Sequence, residues 1–337
     1  MSTLDVDLLL VGAGPVGLYG AYYAGVRGLR TAVLDSLPEV GGQITALYPE
    51  KPIYDVAGFP EVKGRDLVSA LLAQAAQYAP VYRLGQSATT VTRDGGAGGW
   101  HVGTDTGDTV RCGAVVITGG IGTFTPRRLP VGDDFLGRGL AYFVPSLADY
   151  AGCDVVIVGG GDSACDWALA LQGIARTVTV VHRRKAFRGH AATVAALLAS
   201  DSTVLVDAEV SSVLGADRVD AVQVQIKGEA TPRVLPCQRL VAALGFLADL
   251  GPVREWGLQL HDNRHIVVDS RMRTTVPGMY AAGDITDYDG KVRLISVGFG
   301  EVATAVNNAA VDLDPEASLF PGHSSDTAPA PVPVPAR

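Results

Sequence analysis

The residues best equipped for chemistry lie in two glycine-rich turns and in the charged residues that follow each turn at one fixed distance. Gly12, Gly14 and Gly17 in "GAGPVG" make a G-x-G-x-x-G pattern, with Pro15 where a helix would open. Glycines at those spacings permit a tight turn, close approach of the backbone to a pyrophosphate, and close packing of the helix on the strand. Asp35 stands 23 residues after Gly12, where a carboxylate can accept hydrogen bonds from the ribose hydroxyls of an adenosine. The second turn, "GGGDSA", holds Gly159, Gly161 and Ala164 in the related G-x-G-x-x-A, with Asp162 and Ser163 between them. His182 follows Gly159 at the same offset of 23, and Arg183, Arg184 and Arg188 come next in "HRRKAFR". A carboxylate would repel a ribose 2′-phosphate, whereas guanidinium groups form paired, charge-assisted bonds with it. The second turn is therefore expected to bind NADP(H), and the first a different dinucleotide.

Each turn needs a strand before it and a helix after it. "VDLLLV" runs into the first turn, "LYGAYYAGVRG" continues as a helix closed by glycine, "RTAVLD" is the next strand, and residues 67–78 form an amphipathic helix. From Cys153 the order recurs: "CDVVIV", "GGGDSA", "CDWALALQGIA" and "RTVTVVH". The expected fold class is α/β, with two Rossmann-like, three-layer ββα dinucleotide-binding domains. The strands "AVVITGGIG" and "RLVAALGF" end in small residues and mark two crossovers, at 119–124 and 244–248, where glycines can absorb a hinge angle. On this reading an NADP-binding domain at 124–245 is inserted in a domain made of 1–123 and 246–323. A proline-rich tail at 324–337 follows.

A chain of 337 residues with 47% hydrophobic content can supply two cores. Its net charge of -8 disfavours nucleic acid and anionic membrane as partners. No apolar run approaches the ~18 residues of a membrane span, and "MSTLDVDLLLVGAG" has neither the basic start nor the cleavage site of a signal peptide. A cytoplasmic location is expected. Cys112, Cys153, Cys165 and Cys237 are spaced by 41, 12 and 72 residues, so there is no Cys-x-x-Cys and no expected metal site or redox dithiol.

"GAGPVG", the "TGG" crossover, the second glycine turn and "GMYAAGDI" at 278–285 together resemble the thioredoxin reductase-like flavoproteins over essentially the whole chain. That resemblance implies FAD as the first dinucleotide, with Asp284 on its ribityl chain. Thioredoxin reductases of this size carry a Cys-x-x-Cys just before the second turn, and this chain has only Cys153 there. Within the group it is similar to the ferredoxin–NADP+ reductases, through "GGQITALYPEKPIYDVAGFP", "YFV", "GGGDSACDWAL", "HRRKAFRGH", "AAGDITDYDGKVRLISVGFGEVATAVNNA" and a tail beginning "GHSS". The implied activity is hydride exchange between NADPH and FAD and single-electron exchange with ferredoxin or flavodoxin, with no catalytic acid or base beyond the flavin. The resemblance also implies that Tyr48 stacks on the flavin, with Gln43, Asp55 and Ser325 near the cofactor. A helix from about Val297 should aim its N-terminus at the flavin pyrimidine. His323 should cover the opposite flavin face from the partner protomer of a homodimer. Another acceptor (a quinone, oxygen or a small disulfide) and a slowly turning redox sensor remain alternatives. An acidic carrier would need a basic patch, for which Arg127, Arg128, Lys291 and Arg293 are candidates.

Overall fold

The computed structural model describes residues 2–95 and 98–323. Six α-helices order the described residues: α1 (Pro15–Val26), α2 (Gln43–Leu47), α3 (Gly64–Ala76), α4 (Asp162–Ala170), α5 (Ala191–Leu198) and α6 (Ile295–Leu313). The chain divides into two compact units, one running to Thr123 and resuming at Ala248, the other Phe124–Leu247. The boundaries fall within the extended segments Thr123–Pro126 and Phe246–Asp249.

The first unit is built on a five-stranded parallel sheet in the order Met279–Ala281, Ala114–Ile117, Leu8–Val11, Thr31–Asp35, Val81–Leu84. Leu8, Leu9 and Leu10 are fully buried, which explains why this strand is a continuous apolar run rather than an alternating one. Helix α1 lies very close to it: a Cβ on Gly20 would sit 2.6 Å from Val302 of α6 and 3.0 Å from Leu10. Small residues on α1 thus let sheet, α1 and α6 pack at backbone distance. A second sheet, of strands Thr3–Asp5, Thr109–Cys112, Trp100–Thr104 and Ala88–Arg93, contributes Trp100, Val102 and Val110 to the same core.

The inserted unit repeats the plan. Its five-stranded parallel sheet runs Leu140–Ala141, Arg239–Ala242, Asp154–Val158, Thr177–His182, Thr203–Val206, accompanied by an antiparallel sheet of Ala208–Leu214, Ala221–Ile226 and Arg233–Pro236. In both units the strand that feeds the glycine turn is the third of five. The pairings Val11 with Leu34 and Val158 with Val181 put Asp35 and His182 at equivalent strand ends. Among the described residues no helix is long and apolar enough to cross a membrane.

Candidate functional site

The first glycine turn is shaped by two contacts that exclude side chains, one hydrogen bond and one position that stands open. Gly12 has φ +121°, and a Cβ there would lie 2.6 Å from the Thr118 carbonyl. The Thr118 hydroxyl donates to Gly12 O at 2.8 Å and fixes the turn from below. A Cβ on Gly17 would lie 1.8 Å from Gly12 O, so only glycine lets α1 start this close to the strand. Gly14, the N-cap of α1, has nothing within 4 Å of its Cβ direction. No side chain caps α1 and no acidic residue lies in its first turn, so its first amide N–H groups face an open cradle carrying partial positive charge.

Asp35 borders that cradle. Its Oδ2 accepts from Ala13 N at 2.6 Å and its Oδ1 from Leu37 N at 2.8 Å. Burial pushes the carboxyl above its ordinary value, and these two N–H bonds oppose the rise. The sequence reading treated Asp35 as a ribose ligand alone; the structure also makes it the brace of the turn. A carboxylate has about four acceptor positions, so two remain for ribose hydroxyls.

Gln43 and Tyr48, at the two ends of α2, reach the same region as Asp55 and Asp284. Gly41 N donates to Ala13 O at 2.8 Å, and a Cβ on Gly42 would lie 3.1 Å from Gly14 Cα, which brings the start of α2 against the first turn. The Gln43 amide nitrogen lies 3.2 Å from the Cβ direction of Gly120. Burial raises the Tyr48 phenol above its ordinary value, and the charges of Asp284 and Asp55 add to the rise, so these three groups share one environment. Helix α6 begins at Ile295, two residues before the predicted start, and its Gly298 packs with a Cβ direction 3.3 Å from Gly283 Cα and 2.5 Å from Val16 of α1. The N-termini of α1 and α6 therefore converge beside the Gly283–Asp284 turn. Ser296 ties the 55–57 loop to them, donating to Asp55 O at 3.0 Å and accepting from Ala57 N at 3.1 Å.

A buried network that sequence reasoning missed holds that turn. Lys291 and Glu301, with side chains only 2% and 5% exposed, form an ion pair. Tyr288 donates its hydroxyl to Glu301 Oε1 at 2.6 Å. Lys291 is thereby removed from the proposed carrier-docking patch, because its ammonium is consumed inside the protein. Of the other candidates, Arg127 is exposed, Arg128 pairs with Asp133 at 2.5 Å, and Arg293 lies 3.5 Å from Asp287.

The second turn has the same construction. Gly159 has φ +157°, with its Cβ direction 2.4 Å from Ala243 O, while Gly161, the N-cap of α4, faces open space. Ala164 is fully buried beneath the turn, Asp162 Oδ1 accepts from His190 N at 2.7 Å, and Ser163 is exposed in the first turn of α4. His182 departs from the sequence reading. Its ring is buried, its Nε2 is bonded to Ala186 O at 3.1 Å, it packs 4.9 Å from the Phe187 ring, and it fills the space over Gly160, whose Cβ direction ends 2.3 Å from it. It is a strut under the loop and not a free cation. Arg188 N donates to Gly160 O at 2.7 Å, which folds the loop back across the turn. Arg183, Arg184 and Arg188 are exposed, and no carboxylate of the described residues pairs with them.

His323 packs edge-on against Phe320, with centroids 5.1 Å apart. Arg27, the C-cap of α1, donates to Ser318 O at 2.8 Å, so this segment is anchored at the end of α1 remote from Gly14. Ser325 and the proline-rich tail lie outside the described residues. Cys112, Cys165 and Cys237 are buried and Cys153 is partly so, all unpaired.

Two parallel sheets, each delivering a bare helix N-terminus through a glycine turn, define a protein with two dinucleotide cradles. The chain matches the pyridine nucleotide-disulphide oxidoreductase family over residues 6–309 and belongs to that family. It is similar to proteins named ferredoxin–NADP reductase from Nocardioides sp. (61% identity, over 96% of this chain and 98% of the relative) and Salinispora tropica (60%, over 96% and 99%). One from Halalkalibacterium halodurans is 46% identical, over 95% of this chain and 97% of the relative. Among solved structures it resembles T. acidophilum thioredoxin reductase, with a TM-score of 0.76 and 27% identity, covering 91% of this chain and 98% of that one. The bacillithiol disulfide reductase of Staphylococcus aureus, at 17% identity and TM-score 0.71, covering 93% and 99%, shares the fold.

Proposed function

We propose that the protein is an FAD-dependent ferredoxin(flavodoxin)–NADP+ reductase. The observation that carries this reading is the difference between the two cradles: a half-buried carboxylate at the end of the second strand in one, and, just past the equivalent strand end in the other, three exposed guanidinium groups that no described carboxylate pairs with. Both cradles fit their groups, since Gly14 and Gly161 leave open space at the two helix N-termini. The chemistry the bound pair supplies is hydride exchange between NADPH and flavin and single-electron exchange with a carrier protein.

In this reading Gly12, Gly14 and Gly17 with Pro15 present the α1 N–H groups to the FAD pyrophosphate, and Asp35 accepts from the adenosine ribose. Gln43, Tyr48, Asp55 and Asp284 line the flavin end, where Tyr48 excludes water from one face. The α6 N-terminus favours negative charge developing beside it. Gly159, Gly161, Asp162, Ser163 and Ala164 shape the NADP(H) cradle, and His182 holds the loop that aims Arg183, Arg184 and Arg188 at the 2′-phosphate. His323 acts in a homodimer, closing the flavin site of the partner, and Ser325 contributes to FAD binding. With no paired thiols among the cysteines, electrons leave to a separate carrier and not through a protein dithiol, and unpaired thiols suit a reducing cytoplasm.

The test is NADPH-driven turnover with ferredoxin, flavodoxin, a quinone and small disulfides compared at several salt concentrations. Rates with the acidic carriers should be the highest and should fall as salt rises. Faster turnover with a quinone or disulfide would move the protein to another acceptor class, and slow reduction of all of them would favour a redox sensor.

A further inference from the structure

We propose that Lys291 and Glu301 are positioning residues that clamp both sides of Gly283 and together set the electric field at the flavin end of the site. The inference rests on the reading of the Asp284 region as that end.

Glu301 Oε2 accepts from Gly283 N at 2.7 Å, and Lys291 Nζ donates to Gly283 O at 3.0 Å. The carbonyl also accepts from the Thr286 hydroxyl at 2.8 Å. A cation and an anion thus grip the two peptide units flanking one residue, and the second of those units joins Gly283 to Asp284. Gly283 has φ +85°, a left-handed conformation that glycine adopts freely, so the turn is available at low cost but needs partners to fix its direction. The pair is almost completely dry, and Lys291 lies 5.4 Å from the centroid of the Tyr288 ring, which leaves its charge little solvent to disperse into. Both charges are felt at Asp284, where Lys291 lowers the carboxyl and Glu301 raises it.

Apolar residues of similar volume would stabilise such a site at least as well as a buried ion pair does. What the pair adds is two opposed, fixed charges beside the turn. Removing one leaves the other uncompensated. Lys291→Met leaves the flavin end beside a carboxylate without its counter-charge, which disfavours electron uptake. Glu301→Gln leaves an ammonium without its counter-charge, which favours it.

The experiment measures FAD affinity of the stripped protein and the flavin midpoint potential against reference dyes. We expect Lys291→Met to lower the potential and Glu301→Gln to raise it, each by about tenfold in the reduction equilibrium, or about 30 mV for a two-electron couple. The double variant, which buries no lone charge, should return close to the native potential while binding FAD about tenfold more weakly, because the Gly283 carbonyl has lost its ammonium donor. Shifts of the same sign in both single variants, or none, would overturn the proposal. If the single variants do not fold, native FAD affinity in the double variant would overturn it alone. Wild-type protein that takes up no FAD would sink the cofactor reading and this proposal with it. Wild type that binds FAD, beside variants with unmoved potentials, would sink only the proposal.

Discussion

Alanine at Gly14, Gly17 and Gly161 separates the cradles from the fold. In the structure a methyl at Gly17 would sit 1.8 Å from Gly12 O and 2.9 Å from Thr118 Oγ1. Restoring ordinary contact at about 3.5 Å requires the start of α1 to retreat by about 1.7 Å, an overpacking that costs about 1–3 kcal/mol. A methyl at Gly14 or Gly161 meets nothing within 4 Å, and both residues already have negative φ. Their alanine variants should keep apo stability to within about 1 kcal/mol, the usual effect at a helix N-cap. Their methyls nevertheless occupy the space where phosphate oxygens would approach the helix N-terminus. Losing two charge-assisted bonds at about 1.5–3 kcal/mol each predicts at least a hundredfold loss of affinity. Gly14→Ala should therefore purify folded and flavin-poor yet still bind NADPH. Gly161→Ala should keep FAD and lose NADPH, while Gly17→Ala should lose both FAD and thermal stability. Flavin absorbance, NADPH titration and melting of the apo-proteins read the three outcomes. A Gly14→Ala protein with native FAD affinity would refute the placement of the pyrophosphate.

Arg184→Ala should raise KM for NADPH about tenfold and leave KM for NADH within twofold, because this arginine is exposed and no described carboxylate pairs with it; equal losses with both nucleotides would show that it does not read the 2′-phosphate. The Asp284 carboxyl is raised above 3.8, chiefly by burial, so the fold favours its neutral form. That contribution is present below the unfolded value and lost as pH rises through the folded one. Asp284→Asn should consequently raise the melting temperature of the apo-protein at pH 7, with the gain shrinking toward pH 4, and should weaken FAD binding; a lower melting temperature at pH 7 contradicts the sign. Truncation after Pro321 should leave FAD bound, since Gly12, Gly14, Asp35 and Asp284 all remain, and should raise NADPH oxidase activity; an unchanged oxidase rate would remove His323 from the flavin site.

The glycine turns were legible because their signal is local. A buried strand, a turn that admits no Cβ at its first glycine and a helix follow one another within about twenty residues, and each excludes alternatives for its neighbour. The shared offset of 23 was legible too, because adjacent parallel strands fix register, and it led to Asp35 and His182 at matching strand ends. It does not reveal that His182 is buried as a strut. Whether His182 faces a ligand or the interior depends on a loop that returns over Gly160 through the Arg188 amide, and strand periodicity carries no record of that return. Lys291 misled for a related reason. In "YDGKVRL" it reads as a solvated loop charge, and Glu301 reads as a break in an apolar helix face. Their burial follows from a three-way meeting of the Gly283 turn, the Tyr288 loop and α6, elements whose proximity no single window of sequence contains. Residues whose role comes from a strand or helix period can be placed by counting, whereas a pair whose role comes from neutralising each other must be found in three dimensions. That same mutual dependence makes the Lys291–Glu301 pair testable by charge removal, because only an opposed pair gives opposite shifts.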